Sequence, residues 1–421
     1  MQTLLIIVFI LAYAAIALEH QLKVNKSAPA LIGAGLLWTL FATASGADVS
    51  ADLDHSLSAV AQIVFFLMGA MTIVEVVDAH DGFEVITQRI RTRSMVRLFW
   101  LVGLVTFFLS AVLDNLTTTI VMLSVCRKLL ADRQQRLFAA GIIIIAANAG
   151  GAWSPIGDVT TTMLWIGGQI TALKIIEGVF LPSLINLLVP LALISYQYRG
   201  EQISTAGAAT DNGRSPGSAF EKHFMLFAGL GLLCSVPLFK ALTGLPPFMG
   251  IMFALGLLWL AGELIHAGKE ESDKQHLTLA AALQRIDMAS LVFFIGILLA
   301  VATLEHSHVL SALAHSLDRT IGDLGIIVFV FGLASAVIDN VPLVAASMGM
   351  YSLAQYPADS FLWEFMAYAA GTGGSILIIG SAAGVAAMGI EKIEFFWYLR
   401  KVSLLALTGY VAGAAAYVLI R

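Results

Sequence analysis

The string Ser-Ala-Val-Leu-Asp-Asn at Ser110–Asn115 returns as Ser-Ala-Val-Ile-Asp-Asn at Ser335–Asn340, 225 residues further on. Both copies are embedded in apolar runs that would otherwise read as membrane helices. An ionisable group inside such a run costs ~2.5–3.5 kcal/mol or more and is retained mainly for function. A duplicated one, in matching context in the two halves of the chain, reads as a pair of ion sites.

Composition supplies the membrane. Of the 421 residues 59% are hydrophobic and 12% charged, about half the charge that a soluble domain carries. Apolar stretches of 18 residues or more recur along the whole length, the pattern of a polytopic helical membrane protein. The lipid bilayer is the expected partner, and a nucleic-acid partner is not expected. Segment 199–222, rich in Gly, Ser, Ala and Thr, is the one clear linker and falls at mid-chain. Cys126 and Cys234 suggest neither a disulfide framework nor a cysteine metal site. Residues 1–17 end in small side chains as a signal peptide would. Lys23 and Lys26 follow that run rather than precede it, so a retained first span is expected.

Spans are expected at 3–18, 28–45, 58–77, 178–198, 223–239, 245–265, 288–304 and 395–420, with longer apolar stretches at 95–125, 138–168, 322–351 and 363–390. All but four of the 23 Lys and Arg residues (Lys174, Lys240, Arg319 and Arg421) fall in six loops, 19–27, 78–97, 126–136, 199–222, 266–287 and 391–401. The positive-inside rule makes these loops cytoplasmic and places both termini on the outer side, of a bacterial inner membrane by expectation. Stretch 95–125 then starts and ends on the cytoplasmic side, so it must enter and return as a re-entrant hairpin with its tip near Asp114. Stretch 322–351 lies between loops poor in Lys and Arg and enters from outside, with its tip near Asp339. Irregular backbone at membrane depth is tolerated where it is buried in protein or lines a wet cavity, and two facing hairpins would enclose one.

The expected fold is therefore an all-α polytopic membrane protein of two inverted repeats, 1–198 and 223–421, joined by a cytoplasmic linker at 199–222. Each repeat has about five transmembrane helices, one re-entrant hairpin (95–125 and 322–351) and one broken helix (138–168 and 363–390). Secondary transporters use such repeats and bind their cargo at the midplane between them.

The broken helices carry the remaining chemistry. The first reads Asn148-Ala149-Gly150-Gly151-Ala152-Trp153-Ser154-Pro155-Ile156-Gly157-Asp158, and the second Gly371-Thr372-Gly373-Gly374-Ser375, then Gly380-Ser381. Glycine pairs and Pro155 interrupt a helix and free its carbonyls and amides. Carboxylate, carboxamide, hydroxyl and carbonyl oxygens together suit a hard monovalent cation. Two clusters are expected. One joins Asp114, Asn115, Thr117 and Thr118 to Asn148, Ser154 and Asp158; the other joins Asp339 and Asn340 to Thr372, Ser375 and Ser381. The first has two acids and the second one, because Ser381 stands in the place of Asp158. Na+ is expected on Asp114, Asn115, Asp158, Asp339 and Asn340. A proton competes for the same oxygens, so binding either ion expels the other.

Plainer readings exist for each element. An Asp-Asn pair can cap a broken helix as structure alone, and glycine pairs can simply admit close helix packing. Glu75 is a candidate for a proton pathway, or it snorkels to the interface. His80 titrates in the range of a pH sensor, although a solvated loop histidine is the more ordinary setting. Glu305-His306-Ser307-His308 has the composition of a metal cluster but sits at a span end.

Four strings resemble one family: Val74-Glu75-Val76-Val77-Asp78-Ala79-His80, Asp114-Asn115-Leu116-Thr117-Thr118-Thr119, Ser154-Pro155-Ile156-Gly157-Asp158-Val159-Thr160-Thr161 and Asp339-Asn340-Val341-Pro342. Together they are similar to the NhaD-type sodium/proton antiporters, over nearly the whole chain. That family lies within an ion transporter superfamily that includes arsenite pumps and divalent-anion/sodium symporters. The resemblance implies exchange of Na+, and of Li+, for H+, a contribution to pH homeostasis, no resident cofactor and no enzymatic activity. It also implies a homodimer in which hairpins and broken helices move like an elevator against a scaffold. Its ion-site residues, carried over by position, are Asp114, Asn115, Thr118, Ser154, Asp158, Asp339 and Asn340. Anion symporters of the superfamily have Ser-Asn-Thr at each hairpin tip. Asp114 and Asp339 replace that serine here, which disfavours the alternative of an arsenite or organic-anion carrier. An intramembrane aspartyl protease is a remote alternative, since its Gly-x-Gly-Asp signature is absent before Asp158.

Overall fold

The computed structural model describes residues 2–45, 49–87, 92–203, 218–268 and 274–421, so most of the 199–222 linker lies outside the described residues. The first half contains α1 (Gln2–Ala17), α2 (Glu19–Leu22), α3 (Ser27–Ser45), α4 (Ser50–Ala79), α5 (Glu84–Thr87), α6 (Met95–Ser110), α7 (Asn115–Leu129), α8 (Arg133–Ala152), α9 (Val159–Ile166) and α10 (Ala172–Gln197). The second half contains α11 (Ala219–Thr243), α12 (Pro247–His266), α13 (Leu279–Arg285), α14 (Met288–His306), α15 (Val309–Thr320), α16 (Leu324–Ala334), α17 (Asn340–Met350), α18 (Phe361–Gly373), α19 (Ala382–Glu391), α20 (Phe395–Lys401) and α21 (Ser403–Ile420). No β-strand occurs among the described residues; one isolated bridge joins Ser94 to Gln202. Among the described residues, eight helices are long and apolar enough to cross a membrane: α3, α4, α8, α10, α11, α12, α14 and α21. The protein is an all-α polytopic membrane protein.

Helices α1, α3, α14, α4, α12 and α11 pack in succession, each against the next. A second set, α6, α8, α10, α16, α18 and α21, packs around α8 and α18. From Leu137 to Ala152 and from Leu362 to Gly373 every residue of these two helices is buried, and most are apolar. A helix segment buried all round belongs in the middle of a bundle, and that is where both lie. Pro182 and Pro190 sit inside α10 without ending it, as membrane helices allow when neighbours take up the freed carbonyls.

Four non-helical breaks, at 111–114, 153–158, 335–339 and 374–381, bring helix ends into the interior. Each break ends on a capping side chain. Asp114 accepts from Thr117 N at 2.8 Å, Asp158 from Thr160 N at 2.8 Å, Asp339 from Val341 N at 3.2 Å and Ser381 from Gly384 N at 3.2 Å. Capping satisfies amides that a helix start leaves orphaned.

The glycine pairs do admit close packing. A Cβ at Gly150 would run into the Phe107 carbonyl of α6, and one at Gly373 into the Gly332 carbonyl of α16. The second glycine of each pair receives the folded-back break instead. A Cβ at Gly151 would stand 2.6 Å from Gly157 O and 3.0 Å from Asp158 Cβ; at Gly374 the distances to Gly380 O and Ser381 Cβ are 2.8 and 3.0 Å. Substitution of Gly373 by Ala therefore forces α16 and α18 apart, at about 1–3 kcal/mol. Gly389, exposed in α19 with open space around it, is the matched control. In detergent melts followed by size-exclusion chromatography, Gly373→Ala is expected to lower the midpoint by several degrees, while Gly389→Ala leaves it level or slightly raised.

Candidate functional site

Asp158 lies at the centre of the interior breaks, only 2% exposed. Its Oδ1 accepts from Thr160 N at 2.8 Å and Thr160 Oγ1 at 2.7 Å, and more weakly from Asn340 Nδ2 at 3.4 Å. Its Oδ2 accepts from Asn115 Nδ2 at 2.5 Å. All four donors are neutral. The asparagine that follows the acid in each copy of the repeated string thus reaches the same carboxylate. Each of those asparagines is the first residue of a helix, α7 or α17, so a helix start from either half of the chain is fastened to the start of α9.

Asn115 Nδ2 also donates to Asn148 Oδ1 at 3.0 Å, and Asn148 Nδ2 donates to Ser375 Oγ and Ser381 Oγ, both at 2.9 Å. The two clusters expected from sequence are therefore a single network. It joins because α8 and α18 pack directly, which brings Asn148 against the second-half break. Asp114, Asn115, Asp158, Asp339 and Asn340 line one cavity of about 50 Å³, closed by Leu67 and Met71 of α4, Phe294 and Ser290 of α14, and Lys26. That volume holds an ion with about one water.

Other expected residues are placed differently. Thr117 Oγ1 donates to Asp114 Oδ2 at 2.6 Å, fixing that carboxylate. Thr118 is fully buried, its hydroxyl has no hydrogen-bond partner among the described residues, and it does not line the cavity. Ser154 is buried inside the break, near Ile156 N at 3.4 Å, and does not line the cavity. Thr372 is outside the network, because its hydroxyl turns back to Tyr368 O at 2.6 Å on its own helix. Glu75 pairs with Arg285 Nε at 3.1 Å and takes no part in the cavity. His80 is not the solvated loop histidine of the ordinary reading. It is 1% exposed, with Nδ1 2.7 Å from Val76 O and Nε2 3.1 Å from Nε2 of His266 on α12. At the Glu305–His308 end, His306 Nε2 lies 3.0 Å from Ser56 Oγ.

Sequence reasoning gave no role to several residues that hold the site. Ser110 and Ser335, which open the repeated string, donate to Ala147 O and Ala370 O, each at 2.7 Å. Each serine ties a break to the broken helix of its own half, and its place in the duplicated string was the available signal. Thr160, two residues after the acid, was visible as a capping partner. Lys26 offered no such signal: it counted only as loop charge.

A carboxylate shut away from water is costly by several kcal/mol, and hydrogen bonds from neutral donors return part of that. Asp158 with Asp114 and Asp339 around a small cavity is chemically a seat for a cation or a proton.

Comparison with known proteins agrees in family. The model of the CitMHS citrate transporter family matches residues 11–373. Sodium/proton antiporter 1 of Arabidopsis thaliana is 50% identical over 99% of this chain and 72% of its own length. Sodium/proton antiporter 2 of the same plant is 46% identical over 99% of both chains. The Na+/H+ antiporter NhaD of Vibrio cholerae is 31% identical over 99% of this chain and 91% of its own. With its duplicated Asp-Asn caps meeting at one carboxylate, the chain belongs to the NhaD-type sodium/proton antiporter family.

Proposed function

We propose that this protein exchanges Na+, and Li+, for H+ across the membrane. The observation that carries the reading is Asp158, a buried carboxylate held by neutral donors from both halves of the chain and facing a cavity with two more carboxylates. Such a site is stable with a cation or a proton on it and unstable with neither. It therefore changes sides loaded, which couples the two fluxes. The names of the relatives support the same cargo.

The same proposal includes the finer mechanism. The segments around the four breaks form inverted repeats, with 95–125 and 322–351 re-entering from opposite faces and both termini on the side away from the basic loops. The set packed around α8 and α18 moves as an elevator against α1, α3, α4, α11, α12 and α14, and the working unit is a homodimer. Citrate, the cargo in the family model's name, would meet three carboxylates against a single lysine among the described residues of this cavity, and be repelled.

Everted vesicles from cells without their own antiporters test the cargo. With acridine orange reporting an imposed ΔpH, NaCl and LiCl are expected to dequench the dye, and KCl and sodium-free citrate are not. Silence to Na+ between pH 7 and 9.5, with the protein present in the membrane, would falsify the proposal. Asp114→Asn and Asp158→Asn are expected to abolish exchange, by about 10²-fold or more, while the dimer still elutes normally. Wild-type rates in both would move the site elsewhere. Because proton and Na+ compete one for one, half-saturating Na+ should fall as pH rises, by up to about tenfold per unit. A half-saturation independent of pH would mean that the two ions use different oxygens.

A further inference from the structure

Among the described residues that line the cavity, one is of the opposite sign. Lys26 Nζ lies 3.2 Å from Asp339 Oδ2, with a quarter of the lysine side chain and a fifth of the aspartate exposed. The ammonium sits 4.3 Å from the centre of the Phe293 ring on α14, an arrangement that holds a cation over an aromatic face. The backbone around both partners is fixed as well. Lys26 N donates to Glu19 Oε1 at 3.3 Å, Ser27 Oγ donates to Ala289 O at 2.7 Å, and Asp339 N donates to Tyr13 OH of α1 at 3.0 Å. The pair thus runs from the α1–α3–α14 side of the molecule to the helix start at which Asn340 reaches Asp158. Among the described residues, Asp114 and Asp158, the other two acids of the cavity, accept from Thr117, Thr160, Asn115 and Asn340, and none of these is a cation.

We propose that Lys26 is a tethered counter-cation for Asp339, a positioning residue that competes with the transported ion for the cavity and so sets its affinity. This rests on reading the cavity as the ion site. With no ion bound, the ammonium satisfies Asp339 and draws the tip of α17 against α1 and α14. When Na+ enters, Asp339 turns to the ion and the ammonium is displaced toward Phe293 and water. Releasing the lysine also unfastens the two sides of the molecule, so ion arrival and freedom to move are the same event.

Two measurements test this. In the vesicle assay at fixed pH, Lys26→Gln should lower half-saturating Na+ by about fivefold, the scale of one part-exposed ion pair. Lys26→Arg should restore it, because arginine keeps the charge. A merely structural lysine would change the maximal rate and leave half-saturation alone. In the second measurement, purified wild-type protein is treated with an amine-reactive ester, and modification of Lys26 is read by peptide mass spectrometry. Replacing choline chloride by NaCl at equal ionic strength should raise Lys26 modification, and Asp339→Asn should raise it without Na+. The wild-type arm needs no variant to fold. Half-saturation unchanged or raised in Lys26→Gln, or Lys26 modification indifferent to Na+, overturns the inference. Failure of the functional reading looks different: wild-type vesicles then give no Na+ response at all.

Discussion

A carboxylate that meets no cationic partner among the described residues organises the centre of this protein. Asp158 cannot be left bare at membrane depth, and the protein answers with amides borrowed from both halves of the chain. Because Asn115 and Asn340 each begin a helix whose cap is itself an acid, the two helix starts are fixed relative to Asp158 and to each other. Moving either by an ångström loses a donor on a buried charge, which matters far more than losing one between neutral groups. A cation entering the cavity replaces those donors in part. The same geometry that stabilises the carboxylate therefore makes its surroundings responsive to what is bound.

That arrangement depends on backbone more than on side-chain packing. Four helices start inside the protein, and each has a capping side chain that satisfies one of its first amides. The breaks could not lie so close without Gly151 and Gly374, against which Gly157 and Gly380 fold back. Nor could α8 and α18 approach α6 and α16 without Gly150 and Gly373. Ser110 and Ser335 then fasten each break to the neighbouring broken helix. Capping and ion binding are not rival explanations of the repeated Asp-Asn string. Asp114 and Asp339 cap with one oxygen and are held by Thr117 or Lys26 through the other.

The repeated string, the glycine pairs and the loop charges made much of this legible from the sequence: the all-helical membrane class, the acids that line the central cavity, and their company of amides and hydroxyls. What was not legible is long-range pairing. Nothing local to Asn148 says that it will meet Ser375 and Ser381, which follow from the packing of α8 on α18. Glu75 and Arg285 lie in different halves, as do His80 and His266, so neither pair leaves a periodic trace. Thr372 shows the converse error. A hydroxyl in the right stretch of sequence still chose the carbonyl one turn back, the competitor that any helical threonine has.

The sign of the charge at the cavity follows from comparing magnitudes. A helix start carries roughly half a positive unit, so four of them pointing inward would by themselves favour an anion. A full negative charge on the cap outweighs that half unit, and it does so at α7, α9 and α17 but not at α19, where Ser381 is neutral. Lys26 then cancels Asp339. The negative charge left over sits on the first-half side, at Asp114 and Asp158, with Asn115 between them in the chain of caps. On the proposed reading the cation's seat is there. The duplicated string is thus symmetric in sequence and unequal in charge, with the second copy occupied by a residue of the protein itself until an ion arrives.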